Sequence, residues 1–84
     1  MKLSETESAL IISPENRKYY TGFDSSNGYY LITGYGNFFI TDSRYIEEAK
    51  NTVKNAQIVL QTHPYKQIES ILTQLHIKSM YIEA

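Results

Sequence analysis

Two apolar runs, YYLIT (29–33) and NFFIT (37–41), flank the turn residues 34–36, GYG. Aromatic and β-branched residues suit a pleated surface, and glycine admits the backbone of a tight reversal, so residues 29–41 read as a β-hairpin. Alternation sends Tyr29 and Tyr30 to opposite faces of the sheet. The hairpin needs neighbours, because an isolated one is marginal in water.

The rest of the chain supplies them. ALIIS (9–13) is a continuous apolar run stopped at Ser13-Pro14, the pattern of a strand buried on both faces. Pro14 opens a short helical turn that Gly22 ends, and 24–28, DSSNG, is a polar loop. A helix follows the hairpin, with Asp42 or Ser43 as N-cap, Glu47 and Glu48 early, and Ile46, Ala49 and Val53 on one face. Residues 56–62 form another strand. Pro64 then starts a helix with Ile68, Ile71, Leu72 and Leu75 on one stripe, and 79–84 is a last strand. Residues 1–8 are expected to fray or form a helical stub. The fold class is therefore α/β, a ribonuclease H-like mixed sheet of about five strands with helices on its faces. Right-handed crossovers place 56–62 beside 9–13, with 79–84 outside it.

Composition narrows the function. The 84 residues make one domain, 42% hydrophobic and 20% charged, with net charge −1. Arg17–Lys18 is the largest basic cluster, too little to neutralise a phosphate backbone, so nucleic acid is not an expected partner. There is no cysteine for a disulfide or thiolate metal site, and no apolar run approaches membrane length. The expected location is the cytoplasm.

Candidate catalytic groups are sparse. His63 and His76 lack carboxylate partners at ligand spacing and read as helix-end residues. Asp42, Glu47 and Glu48 read as capping and dipole-pairing acids. Ser25, Ser26 and Ser43 have no histidine base in a nucleophile arrangement. The glycines precede no Walker lysine, and the aromatic block lacks the flanking cations of a single-strand binder.

The sequence from Ala9 to Ala49 nevertheless resembles a known pattern. Pro14, Glu15 and Asn16 after an apolar strand, then Tyr20-Thr-Gly22-Phe23, then Thr41-Asp42-Ser-Arg44-Tyr45 with Glu48 and Ala49, are similar to the N-terminal domain of the creatinase/prolidase/aminopeptidase P family. The resemblance covers residues 9–84, its specificity lies in the two motifs together, and the domain is expected to be truncated at both ends, lacking the family's usual first helix and the tail after the 79–84 strand. It implies a ribonuclease H-like fold and a parent metallopeptidase that cleaves Xaa-Pro bonds as an aminopeptidase or dipeptidase. Two divalent ions (Mn, Co or Zn) are expected in a separate C-terminal catalytic domain, held there by two aspartates, a histidine and two glutamates. No position here matches those ligands, so the chain is expected to carry no catalytic residue and no metal.

The resemblance further implies partners: the C-terminal domain of the same protein and other subunits in a homo-oligomer. It implies a wall of the substrate cleft at Asp24, Ser25, Ser26 and Asn27, with Asn16, Tyr20, Gly22, Phe23, Asp42, Arg44 and Tyr45 as structural motif. Arg44 is expected to be a structural member holding several carbonyls or a carboxylate, the alternative being an ordinary surface ion pair. Asp24 is either a receiver of a peptide ammonium or a cap of its own turn. The other open function is a free-standing protein- or small-ligand-binding module of the same fold.

Overall fold

The computed structural model describes residues 3–83. Its elements are β1 (Glu7–Ile11), α1 (Pro14–Thr21), β2 (Tyr29–Thr33), β3 (Gly36–Thr41), α2 (Ile46–Thr52), β4 (Gln57–Leu60), α3 (Pro64–Gln74) and β5 (Ser79–Glu83). The α/β class, the hairpin and the mixed five-stranded sheet are as read from the sequence. Met1, Lys2 and Ala84, assigned above to the leading stub and the last strand, lie outside the described residues.

Three local readings are corrected. The sheet order is β4-β3-β2-β1-β5, so β4 lies beside β3 and not beside β1. Handedness alone leaves the edge open; the short α2 connection decides it by joining β3 to its immediate parallel neighbour. The return to β5 must then pass beneath the whole sheet, four strand spacings or roughly 19 Å, and α3 at about 16 Å is long enough to bridge most of it. Second, β1 begins at Glu7, because Glu7 and Ser8 pair with Ser79 and Met80 of β5. Third, α2 begins at Ile46 without a side-chain cap, the preceding Asp42 being committed to the turn described below.

The ends of α1 are as expected. Ser13 accepts the Asn16 N–H through its hydroxyl at 3.3 Å, Pro14 occupies the first turn, and Gly22 closes the helix in the left-handed conformation at φ 69°. Opposite faces of the sheet carry separate cores. On the α1/α2 side, Ile11, Phe23, Tyr30, Phe39, Ala49 and Val53 are buried together. On the α3 side, Leu10, Leu31, Ile40 and Ile68 are buried, with Tyr29 and Phe38 packed against them. Tyr29 and Tyr30 thus take opposite faces.

Most of the aromatic block is core. Rings run in a chain from Tyr20 to Tyr30 (5.6 Å between centroids), Phe39 (6.4 Å), Phe23 (6.2 Å) and Tyr45 (6.1 Å). Each such pair contributes about 0.5–1.5 kcal/mol beyond burial. The chain couples α1 to the hairpin and to the turn before α2.

Candidate functional site

β1, β3, β4 and β5 run in one direction and β2 in the other, so one end of the sheet gathers the carboxyl ends of four strands and the start of β2. This is the end at which open α/β sheets present ligand-binding loops. The residues singled out in the sequence collect there: α1 with its N-cap, loop 24–28, and turn 42–45.

The loop and the turn form one unit. Ser26 Oγ and Tyr45 Oη share a hydrogen bond of 2.7 Å. Asn27 Nδ2 donates to Asp42 Oδ2 at 3.2 Å, and Thr41 Oγ1 donates to the Asn27 carbonyl. Asp42 turns the chain by accepting the Arg44 N–H at 3.0 Å and pairs with the same residue's guanidinium, Nη2 to Oδ2 being 2.8 Å. That guanidinium lies 5.3 Å from the Tyr45 ring centre. Arg44 therefore forms a surface ion pair with Asp42, its own side chain 66% exposed.

The carbonyl-holding role belongs to Arg17. It is 4% exposed, donates from Nη1 to the Gly28 carbonyl at 2.7 Å and from Nη2 to the Ser25 carbonyl at 3.0 Å, and so pins both ends of the loop to α1. Burial lowers its pKa, and no carboxylate pairs with it among the described residues. Sequence reasoning treated Arg17 as half of a basic pair. Arg17 and Thr21, four apart on one face, are the buried residues of α1. Thr21 completes the motif. Its hydroxyl donates to the Arg17 carbonyl at 2.7 Å and accepts the Phe23 N–H at 3.1 Å, stitching the helix to its exit around Gly22.

Among the described residues the Asp24 side chain makes no hydrogen bond to its own turn. Its carboxylate is 81% exposed, and its ion-pair partner is Lys18 Nζ at 3.7 Å. Among the described residues, the buried Ser25 Oγ and Gln61 Oε1, just beyond β4, have no hydrogen-bond partner. Both atoms lie on segments at this end of the sheet. Unpaired buried polar atoms are uncommon because each costs about 1–3 kcal/mol.

The pKa pattern follows the hydrogen bonds. Arg44 first, and Asn27 further, hold the Asp42 carboxyl below the usual carboxylate range, while Asp42 raises Arg44. Ser26 lowers Tyr45. A carboxyl depressed in the folded state contributes stability above its unfolded pKa and loses it as pH falls through the folded value. The Asp42 carboxyl resonance is expected to titrate below that of the unfolded chain and to move up in Arg44→Ala. Coincident midpoints for folded and unfolded chains would contradict the pairing.

No three His, Asp, Glu or Cys side chains converge among the described residues, so these residues do not fit a metal centre. His63 precedes α3 and His76 follows it at φ 56°, both as helix-end residues. No helix among the described residues is long and apolar enough to cross a membrane.

Comparison with known proteins matches this geometry. The family model described as the creatinase/prolidase N-terminal domain matches residues 1–83. The uncharacterized peptidase YqhT of Bacillus subtilis is 48% identical over 50 residues, 60% of this chain and 14% of the relative. The crystal structure of an Xaa-Pro aminopeptidase from Streptococcus pyogenes superposes with a TM-score of 0.87 at 32% identity, covering 90% of this chain and 59% of that one. An Xaa-Pro dipeptidase from Bacillus anthracis superposes at 0.84 with 26% identity, covering 90% of this chain and 22% of that one. The chain spans less than two thirds of each of these relatives.

Proposed function

The chain belongs to the creatinase/prolidase N-terminal domain family, and from that premise we propose that it serves an Xaa-Pro metallopeptidase as its non-catalytic part. Hydrolysis then takes place in a C-terminal domain holding two divalent ions. This chain contributes assembly with other subunits and a wall that limits which peptides enter. The wall is the unit formed by Asp24–Asn27 and Asp42–Tyr45.

The observation that carries this reading is the end of the sheet itself. A loop held by a buried arginine at Ser25 and Gly28 presents an exposed carboxylate, and the two buried polar atoms without a partner among the described residues lie on segments of the same end. Such a surface is built and left incomplete, as expected of one face of a cleft whose other face is another domain. Asp24 is placed to receive the ammonium of a short peptide. Its exposed pair with Lys18 is readily exchanged for a charge-assisted contact with a ligand. The fastening of the loop through Arg17, Ser26 and Asn27 fixes the backbone next to Asp24, which lowers the cost of ordering its carboxylate on binding.

The test joins this chain to the catalytic domain of an Xaa-Pro aminopeptidase in place of that enzyme's own N-terminal domain. Asp24→Ala is expected to raise KM for short Xaa-Pro peptides by up to about tenfold with kcat little changed, the loss of one charge-assisted contact. Unchanged KM would remove Asp24 from the cleft.

A further inference from the structure

Loop 24–28 contains a dipeptide with a chemistry of its own, Asn27-Gly28. The other asparagines, at 16, 37, 51 and 55, are followed by Arg17, Phe38, Thr52 and Ala56. The backbone nitrogen after an asparagine can reach that residue's Cγ and close a cyclic imide. A side chain on the following residue shields the nitrogen, and glycine has none. The structure leaves this nitrogen untied: among the described residues the Gly28 N–H has no backbone acceptor. The Thr41 hydroxyl donates to the Asn27 carbonyl at 3.2 Å, which draws electrons from the same peptide group and makes its N–H a better acid. Asn27 is half-buried, so water reaches it. One contact opposes the reaction. Asn27 Nδ2 donates to Asp42 Oδ2 at 3.2 Å, which fixes the side chain and makes Cγ a poorer electrophile.

We propose that Asn27 is a site of spontaneous deamidation latched by Asp42, and that the reaction releases loop 24–28 from the turn at 42–45. The Gly28 nitrogen attacks Asn27 Cγ. A new C–N bond forms as the Cγ–Nδ2 bond breaks, and Nδ2 leaves as ammonia, carrying the proton of the Gly28 N–H. Water then opens the imide at either carbonyl, giving aspartate or isoaspartate. Water is the only co-reactant.

Either product undoes the contact that held the loop. Where Nδ2 donated, a carboxylate oxygen now faces Asp42 Oδ2, and two like charges replace a hydrogen bond. Isoaspartate also adds one carbon to the main chain between Asn27 and Gly28. The Arg17 fork grips the Ser25 and Gly28 carbonyls, on either side of that insertion. Phe39 blocks the way inward, since even a Cβ on Gly28 would stand 2.9 Å from its Cε1. The extra length must therefore bulge into solvent and strain the fork. The covalent change stands apart from the peptidase reading; only its consequence, an Asp24 carboxylate no longer held at the cleft, rests on it.

The test is peptide mapping by mass spectrometry of the folded chain during prolonged incubation at neutral pH, with an isoaspartyl methyltransferase to count isoaspartate. Conversion is expected at Asn27 ahead of Asn16, Asn37, Asn51 and Asn55, with isoaspartate among the products. Asp42→Ala should speed it roughly tenfold, the loss of one hydrogen bond to a charged group, and leave Asn37 and Asn55 at the parent rate. The deamidated chain, separated by its added negative charge, should melt at least about 5 °C below the unmodified one. An Asn27 that stays intact while the urea-unfolded chain converts, or that converts no faster than the other asparagines, would overturn the site. Asp42→Ala at the parent rate would overturn the latch, and a deamidated chain of unchanged Tm would overturn the release.

Discussion

Replacing Arg17 with alanine is expected to lower the melting temperature by about 10–20 °C. The guanidinium is 4% exposed and serves the Gly28 and Ser25 carbonyls together. Removing it leaves two inward-facing acceptors without donors, at roughly 1–3 kcal/mol each. In a domain of this size each kcal/mol shifts Tm by about 4–8 °C. Lysine keeps the charge but not the planar fork, and a point ammonium cannot meet two separated carbonyls in the same geometry. Arg17→Lys should therefore fall between parent and alanine. Calorimetry decides: an Arg17→Ala Tm within about 2 °C of the parent would mean that water replaces the fork and that the loop does not depend on it.

Gly28→Ala should cost about 2–4 kcal/mol, combining overpacking with an unfavourable backbone conformation. A Cβ at this position would stand 2.9 Å from Phe39 Cε1, 3.1 Å from its Cζ and 3.3 Å from the Ile40 carbonyl, with φ at +157°. Phe39 cannot yield easily. It is fully buried, with Phe23 at 6.2 Å and Tyr30 at 6.4 Å between ring centres. Any shift of the loop also moves the Gly28 carbonyl away from Arg17, so the double mutant should lose less than the sum of the two. Denaturant unfolding checks both statements. Full stability in Gly28→Ala, or strict additivity, would contradict a loop clamped between Arg17 and Phe39.

These two residues also mark the limit of what could be read in advance. Period-two and period-3.6 patterns revealed the strands, the helices and the opposite faces of Tyr29 and Tyr30, because those depend on neighbours in sequence. The place of β4 was not legible, since crossover handedness restricts side but not edge. The pairing of Ser26 with Tyr45 and of Asn27 with Asp42 joins positions 19 and 15 residues apart, which no local pattern reports. Arg17 was hidden for a different reason. A charged residue on a helix is ordinarily solvated, and its buried position becomes visible only once loop 24–28 is seen to supply two carbonyls to it. Asp42 was readable as a cap, but it caps the turn before α2 and not the helix.

The most direct test of the proposed role is where a bound peptide touches the domain. The chain, joined to an Xaa-Pro peptidase catalytic domain, is incubated with a short Xaa-Pro peptide carrying a photoreactive group near its amino terminus. After irradiation the modified residues are located by mass spectrometry. Labelling concentrated in Asp24–Asn27 or Asp42–Tyr45, and suppressed by unlabelled peptide, is the expected result. Competable labelling confined to the catalytic domain, with neither segment modified, would contradict a substrate-facing wall at this end of the sheet.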